Sequence, residues 1–333
     1  MSKILLLFLF VPILHAFAEV VVVNSVGRAV LRGENCDELK REAAAIESWK
    51  QTVEAKKVNA KLECQKTKRG TFELDVTSLI PDFAKPYYGK CVASHGPNCW
   101  NAALVSAGLA FTIRHSFFTE FHHQINSPLC RELKANEVPR AGDIVAIRNK
   151  EISPHEKEAA KLYGASLSES HAYVYVSDNL CFSKNDNSTE TPYVLQNSKN
   201  VNEVYGLSDP KCMRISSESI PKECTTWSQL FRCKSLSEFW IEHPELKEKY
   251  SCHFDKLKEK ESILSAKLAS QKPPFRCFDV NEFRKDLKGI VDGGDKQLKS
   301  NGSALSEEEN YIQKTLHQTE DSLNIQLNFI EKK

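Results

Sequence analysis

Gly96-Pro-Asn-Cys-Trp-Asn-Ala-Ala-Leu104 sets one cysteine, Cys99, at the start of an apolar segment. Pro97 and Asn98 are helix-start signals, and Asn98 is a favoured N-cap residue. From Trp100 to Phe111 nearly every residue is apolar, as in a buried helix. A thiol in the first turn sits over the positive end of the helix dipole, beside backbone N–H groups without intrahelical partners. That setting lowers a thiol pKa and offers donors to an oxyanion. The competing assignment is a buried structural cysteine or a disulfide partner.

Upstream, residues 1–18 have the form of a secretory signal peptide: Lys3, the apolar run Ile4 to Leu14, and the small-x-small site Ala16-Phe17-Ala18. No later stretch is long and apolar enough to span a bilayer, so no integral membrane segment is expected after cleavage. Export, to the periplasm or as a secreted protein, permits disulfides. The chain has 11 cysteines, an odd number. If Cys99 stays free, ten remain as disulfide candidates: Cys36, Cys64, Cys91, Cys130, Cys181, Cys212, Cys224, Cys233, Cys252 and Cys277. Cys36 and Cys64 flank a helical pattern and are expected to pair.

The formal net charge of +1 carries no basic bias, which argues against a nucleic-acid partner. No C-x-x-C, H-E-x-x-H, P-loop, dinucleotide or Gly-x-Ser-x-Gly motif is present, so no metal and no cofactor are expected. His122-His123 are read as surface residues of a helix. Asn187 and Asn301 open glycosylation sequons.

Three sections follow the signal segment. Residues 19–81 are read as a disulfide-rich N-terminal segment, with a helix over about Cys36 to Lys57 and a hairpin of Ala60–Cys64 and Thr71–Val76 about Gly70. Residues 82–216 predict the Cys99 helix, further helical turns to about Cys130, and a strand, Ile144-Val-Ala-Ile147. A charged helical insertion, Glu151 to Ala165, and a strong β run, His171-Ala-Tyr-Val-Tyr-Val-Ser177, come next. Ser177-Asp-Asn179 turns that run into a return strand, Leu180 to Lys184, and Pro192 to Gln196 forms another. Residues 217–333 read as a mostly helical, cysteine-containing accessory region. A helix followed by antiparallel strands makes the fold class α+β.

A thiol nucleophile needs an imidazole to take its proton and a group to orient the imidazole. His171, at the entry of the best strand, is the candidate base. The segments Asn98-Cys99-Trp100, Pro139-Arg-Ala-Gly-Asp-Ile-Val-Ala-Ile147 and His171 to Ser177, in this order, resemble NlpC-type cell-wall peptidases and the related CHAP-type amidases of the papain-like group. Tyr87-Tyr88-Gly89 resembles the aromatic-glycine element before that family's cysteine. The resemblance implies a papain-like core, with a nucleophile helix packed on a small antiparallel sheet, and Cys99 and His171 as the catalytic pair. A polar residue on the next strand would orient the imidazole: Ser183, Asn185 or Gln196, with Asn185 favoured because its carbonyl can accept an imidazole N–H. Tyr88, His95, Asn98, Trp100, Ser183 and Gln196 are candidate cleft residues. The implied activity is hydrolysis of an amide in peptidoglycan stem peptides or another peptide substrate, by a monomer. The chain has Asn98 where the family has aspartate, and Trp100-Asn101 where it has serine-glycine. These differences motivate the alternative of a catalytically inactive, disulfide-stapled binding or structural protein on the same fold.

Overall fold

A computed structural model describes residues 20–58, 60–90, 98–134, 136–152, 168–185, 191–269, 279–299 and 304–331, with 157 and 161. The expected signal segment, Cys91, His95, Cys277, both sequons and most of the 151–165 insertion lie outside the described residues.

The fold is α+β, with two antiparallel sheets. The N-terminal sheet has the order β1-β2-β4-β3, formed by Val21–Ser25, Arg28–Gly33, Phe72–Asp75 and Gln65–Lys66 respectively. Helix α1 (Cys36–Glu54) starts at the Asn35 cap, ends on Ala55 in the left-handed region, and buries Leu39, Ile46 and Trp49. The expected Cys36–Cys64 disulfide is present and ties the start of α1 to the hairpin. The hairpin's first strand lies just beyond the expected segment, at Gln65–Lys66.

The larger sheet has the order β5-β10-β6-β7-β8-β9. Its strands are β5 (Cys130–Glu132), β6 (Ile144–Asn149), β7 (Ser168–Tyr175), β8 (Leu180–Ser183), β9 (Val194–Asn197) and β10 (Thr226–Cys233). Strands β6 to β9 follow the sequence reading. Two strands do not. Cys130–Glu132, read as the end of helical turns, pairs with β10. Thr226–Cys233, from the region read as helical, lies between β5 and β6. The sheet therefore extends past residue 216, the expected end of the catalytic section.

Helices α2 (Cys99–Ser106) and α3 (Phe118–Ile125) cover one face of this sheet, where Ala172 and Val174 join Ala102, Leu104 and Phe121 in the main core. The other face buries Tyr173, Tyr175, Val145 and Trp227 near α4 (Ser198–Val204). Helices α5 (Leu236–Glu242), α6 (Pro244–Ala269), α7 (Val280–Lys299) and α8 (Glu307–Glu331) complete the chain. Their Phe254, Leu264, Leu287, Leu316 and Leu323 belong to the same core as α2. No helix among the described residues is long and apolar enough to cross a membrane.

Helix α2 is shorter than the apolar run suggests, because Gly108 takes φ +69 just beyond its end. A Cβ there would also lie 2.7 Å from the Ser235 Cβ. Gly108→Ala is expected to destabilise the fold by about 1–3 kcal/mol through strain and clash. A urea midpoint equal to wild type would contradict that.

Three disulfides are present among the described residues: Cys36–Cys64, Cys130–Cys233 and Cys212–Cys224. Two expected disulfide candidates prove free. Cys181 is buried on β8 against apolar neighbours, and Cys252 is exposed on α6. Burial of Cys181 inside a paired strand leaves it to serve as a small apolar side chain.

Candidate active site

Cys99 opens α2 as expected, is free, and is only 5 % exposed. Asn98 caps the helix by accepting the Asn101 N–H at 3.1 Å. Its side-chain amide donates to the Ser116 carbonyl at 2.7 Å, which ties the cap to the segment leading into α3. Trp100, in the same first turn, packs with Phe118. Asn98 and Trp100 thus serve the helix start and its anchoring.

The sulfur is seated against β7. Burial pushes the Cys99 thiol up to about 11, opposed by the Ala172 and Trp100 backbone N–H groups and by the charge of Lys184. Desolvation therefore outweighs the helix-terminal effect expected from sequence. Ala172 directly follows His171, whose side chain points to the opposite face of β7.

His171 is fully buried. Its Nε2 lies 3.0 Å from the Ser183 Oγ, and its ring stacks on Tyr205 at 3.9 Å between centroids. A β-bulge sets this direction. Ile147 pairs with His171 and Arg148 with Glu169, so Ser170 is an extra residue in β7. Glu169 consequently turns toward α3, and His171 turns toward the Tyr173 and Tyr175 side.

Asn185 does not hold the position expected of it. Strand pairing between β7 and β8 ends at Val174 and Phe182. Asn185, which the register would set opposite His171, leaves the ladder and exchanges two hydrogen bonds with Gln196, at 2.7 and 3.1 Å. Ser183, the diagonal neighbour on the same face, meets the imidazole instead. Gln196 is the partner of Asn185. Tyr88 is buried as a strut: its hydroxyl accepts the Leu195 N–H at 3.1 Å and donates to Asn24.

Sequence reasoning missed Tyr205, which supports the imidazole, and the roles of His122 and His123. His122 Nδ1 lies 2.7 Å from Glu169, which is also paired with buried Arg148. Burial disfavours the Glu169 charge, but Arg148 and His122 outweigh it and hold the carboxyl below its usual range. Burial holds His123 down to about 4, and its ring stacks on Tyr311 of α8. Both histidines fasten α3 to its neighbours rather than facing solvent. Asp143 acts as the expected turn residue, accepting the Arg140 N–H at 2.8 Å while pairing with Arg232.

No known family model matches this chain, and no characterised protein or solved structure does. The chemistry of the site is read from its own geometry.

The two buried thiols give the fold a pH dependence. Cys99 rises from 9.0 to about 11, and burial raises Cys181 further. The fold favours the protonated forms, so this stability is complete below about pH 9. It is lost as pH rises through the Cys99 value, because the unfolded chain ionises first. A tenfold difference in proton affinity between the folded and unfolded chain is worth about 1.4 kcal/mol. Urea midpoints are expected to fall between pH 8.5 and 10.5, and to fall less in Cys99→Ala, which lacks the displaced thiol. An identical fall in both proteins would remove Cys99 as the cause.

Proposed function

We propose that the protein is an exported thiol hydrolase that cleaves an amide bond in peptidoglycan stem peptides. The observation that supports this reading is a free Cys99 at the start of α2, its sulfur on the Ala172 backbone; the His171 ring, with its Nε2 on Ser183, stands on the opposite face of β7. Three disulfides suit an exported protein. The substrate class comes from the motif resemblance alone.

The resemblance makes His171 the base; because its ring rests on Tyr205 on the face of β7 away from α2, this mechanism requires the ring to turn toward the thiol before it takes the proton. The Cys99 thiol proton then passes to the imidazole as Sγ attacks the amide carbonyl carbon. The carbonyl oxygen takes the negative charge and is held by the Cys99 backbone N–H at the start of α2. The C–N bond breaks as the imidazolium gives its proton to the departing amine. Water, deprotonated by the imidazole, then hydrolyses the thioester and regenerates the thiol. The raised thiol pKa makes base assistance necessary: almost no thiolate exists at neutral pH without it. The test is muropeptide hydrolysis by the wild type and by Cys99→Ala. Turnover confined to the wild type is the expected result, and equal turnover would sink the assignment.

The burial of Cys99 favours a second reading, a binding or structural protein without catalysis. Iodoacetamide separates the two. A hydrolase should lose activity in step with alkylation of Cys99. An inert protein should leave Cys99 unmodified until it unfolds, and should release no product from muropeptides.

A further inference from the structure

A cavity of about 350 Å³ lies on the sheet face away from α2, between β7, α4 and the segment 207–214. We propose that it binds an apolar dipeptide-sized zwitterion, one carrying a free ammonium and a free carboxylate. The proposal does not rest on the chemistry assigned to Cys99.

Size and lining set the ligand class. The volume is at the small end of ligand pockets, which run from about 300 to 1,000 Å³. Tyr173, Tyr175 and Met213 give an apolar floor. Around it stand two cations, Arg214 and Lys199, and two anions, Asp178 and Glu203. Equal numbers of each sign do not favour a polyanion such as a nucleotide. They complement a molecule that carries one charge of each sign on an apolar body.

The wall carrying Arg214 is built in place. Arg214 has φ +54, a strained value shared among described non-glycine residues only with Ala55. Its backbone N–H is held at 3.0 Å by the Oγ of buried Ser228, and Ile215 bonds to the Ser228 carbonyl. The Cys212–Cys224 disulfide fixes the segment two residues upstream. The guanidinium lies over the Tyr175 ring, 5.4 Å from its centroid.

Arg214 and Asp178 meet through one nitrogen and one oxygen at 2.8 Å, and both side chains are well exposed. Such a pair is weak and easily exchanged. A ligand can give its carboxylate to Arg214 and its ammonium to Asp178 at little cost, then bury its apolar side chains against the tyrosines.

Calorimetry with L-leucyl-L-leucine on the full chain tests this. Sub-millimolar binding is expected, equal in wild type and Cys99→Ala. N-acetylation or C-terminal amidation of the dipeptide is expected to weaken binding about 10-fold each, the worth of one charged hydrogen bond. Arg214→Gln should weaken the free dipeptide by a similar factor but barely change the amide. Asp178→Asn should do the same against the N-acetyl form. Capped ligands that bind as well as the free dipeptide would overturn the assignment. So would binding lost in Cys99→Ala, which would move the dipeptide to the thiol site. Circular dichroism of each variant distinguishes lost binding from lost fold, and Arg214→Lys should keep most of the affinity.

Discussion

Cys99→Ala is expected to reduce muropeptide hydrolysis by on the order of 10⁴-fold or more, as when the nucleophile of a catalytic triad is removed. The fold should survive, because losing one buried sulfur costs only about 1 kcal/mol of apolar burial. Ser183→Ala is expected to have a smaller effect, about 10-fold in kcat, comparable to one net hydrogen bond. It should also shift the pH profile, since the hydroxyl touches the imidazole directly. Asn185→Ala should leave both unchanged, because its amide is engaged with Gln196. The opposite order, with Asn185 essential and Ser183 dispensable, would reverse the assignment of the orienting group. These measurements use kcat, the pH–rate profile and the thermal midpoint of each variant.

Arg114→Leu is expected to cost about 3–5 kcal/mol of stability, the usual penalty for removing one member of a buried ion cluster. Arg114 is 1 % exposed. It binds Glu120 with a contact at 2.9 Å, and Glu261 of α6 at 3.1 Å. Burial opposes charge on both carboxylates. The Arg114 guanidinium and the Ser322 hydroxyl outweigh that penalty at Glu120, whose value is lowered. At Glu261 burial wins: it shares the same cation and feels the Glu120 charge, so its value is raised. Without Arg114, two acids stand buried with no cation. Replacing all three residues by apolar side chains of similar volume should recover much of the loss. Urea unfolding measures both variants, and a loss below about 1 kcal/mol for Arg114→Leu would show that water reaches the cluster. Activity should fall as well. The Arg114 backbone N–H donates to Asn101, and its guanidinium donates to Ser116, the residue whose carbonyl Asn98 holds.

The sequence made the local elements readable where local chemistry decides them. Asn98 as a cap, the Ser177 to Asn179 turn and the alternation from His171 to Val176 depend on near neighbours. The Cys36–Cys64 bond joins the ends of one helix and one hairpin. Thr226–Cys233 escapes a local reading because its partners are Asn149 to Ile144 and Glu132 to Cys130, far away in the chain. Asn185 looked better placed than Ser183 for a related reason. Residue 185 is opposite His171 only if the ladder continues, and the point where a ladder ends is set by tertiary packing. The Ser170 bulge has no local signal either, since strict alternation would place Glu169 and His171 on one face. His122 and His123 read as surface residues because nothing near them in the chain announces that Glu169 and α8 cover them.

The place of β10 between β5 and β6 has a temporal consequence. A chain that emerges from its N-terminus first carries every residue of the proposed chemistry well before residue 226 appears. Until then β5 and β6 have no partner between them, and their open edges invite wrong pairing. The Cys130–Cys233 bond, which spans 103 residues, ties β5 to β10 and cannot form before residue 233 is present. Long-range closure of this kind is slow. The half of the protein that holds Cys99 is therefore not a detachable module. The sheet under Cys99 waits, during folding, for a strand supplied from beyond residue 216.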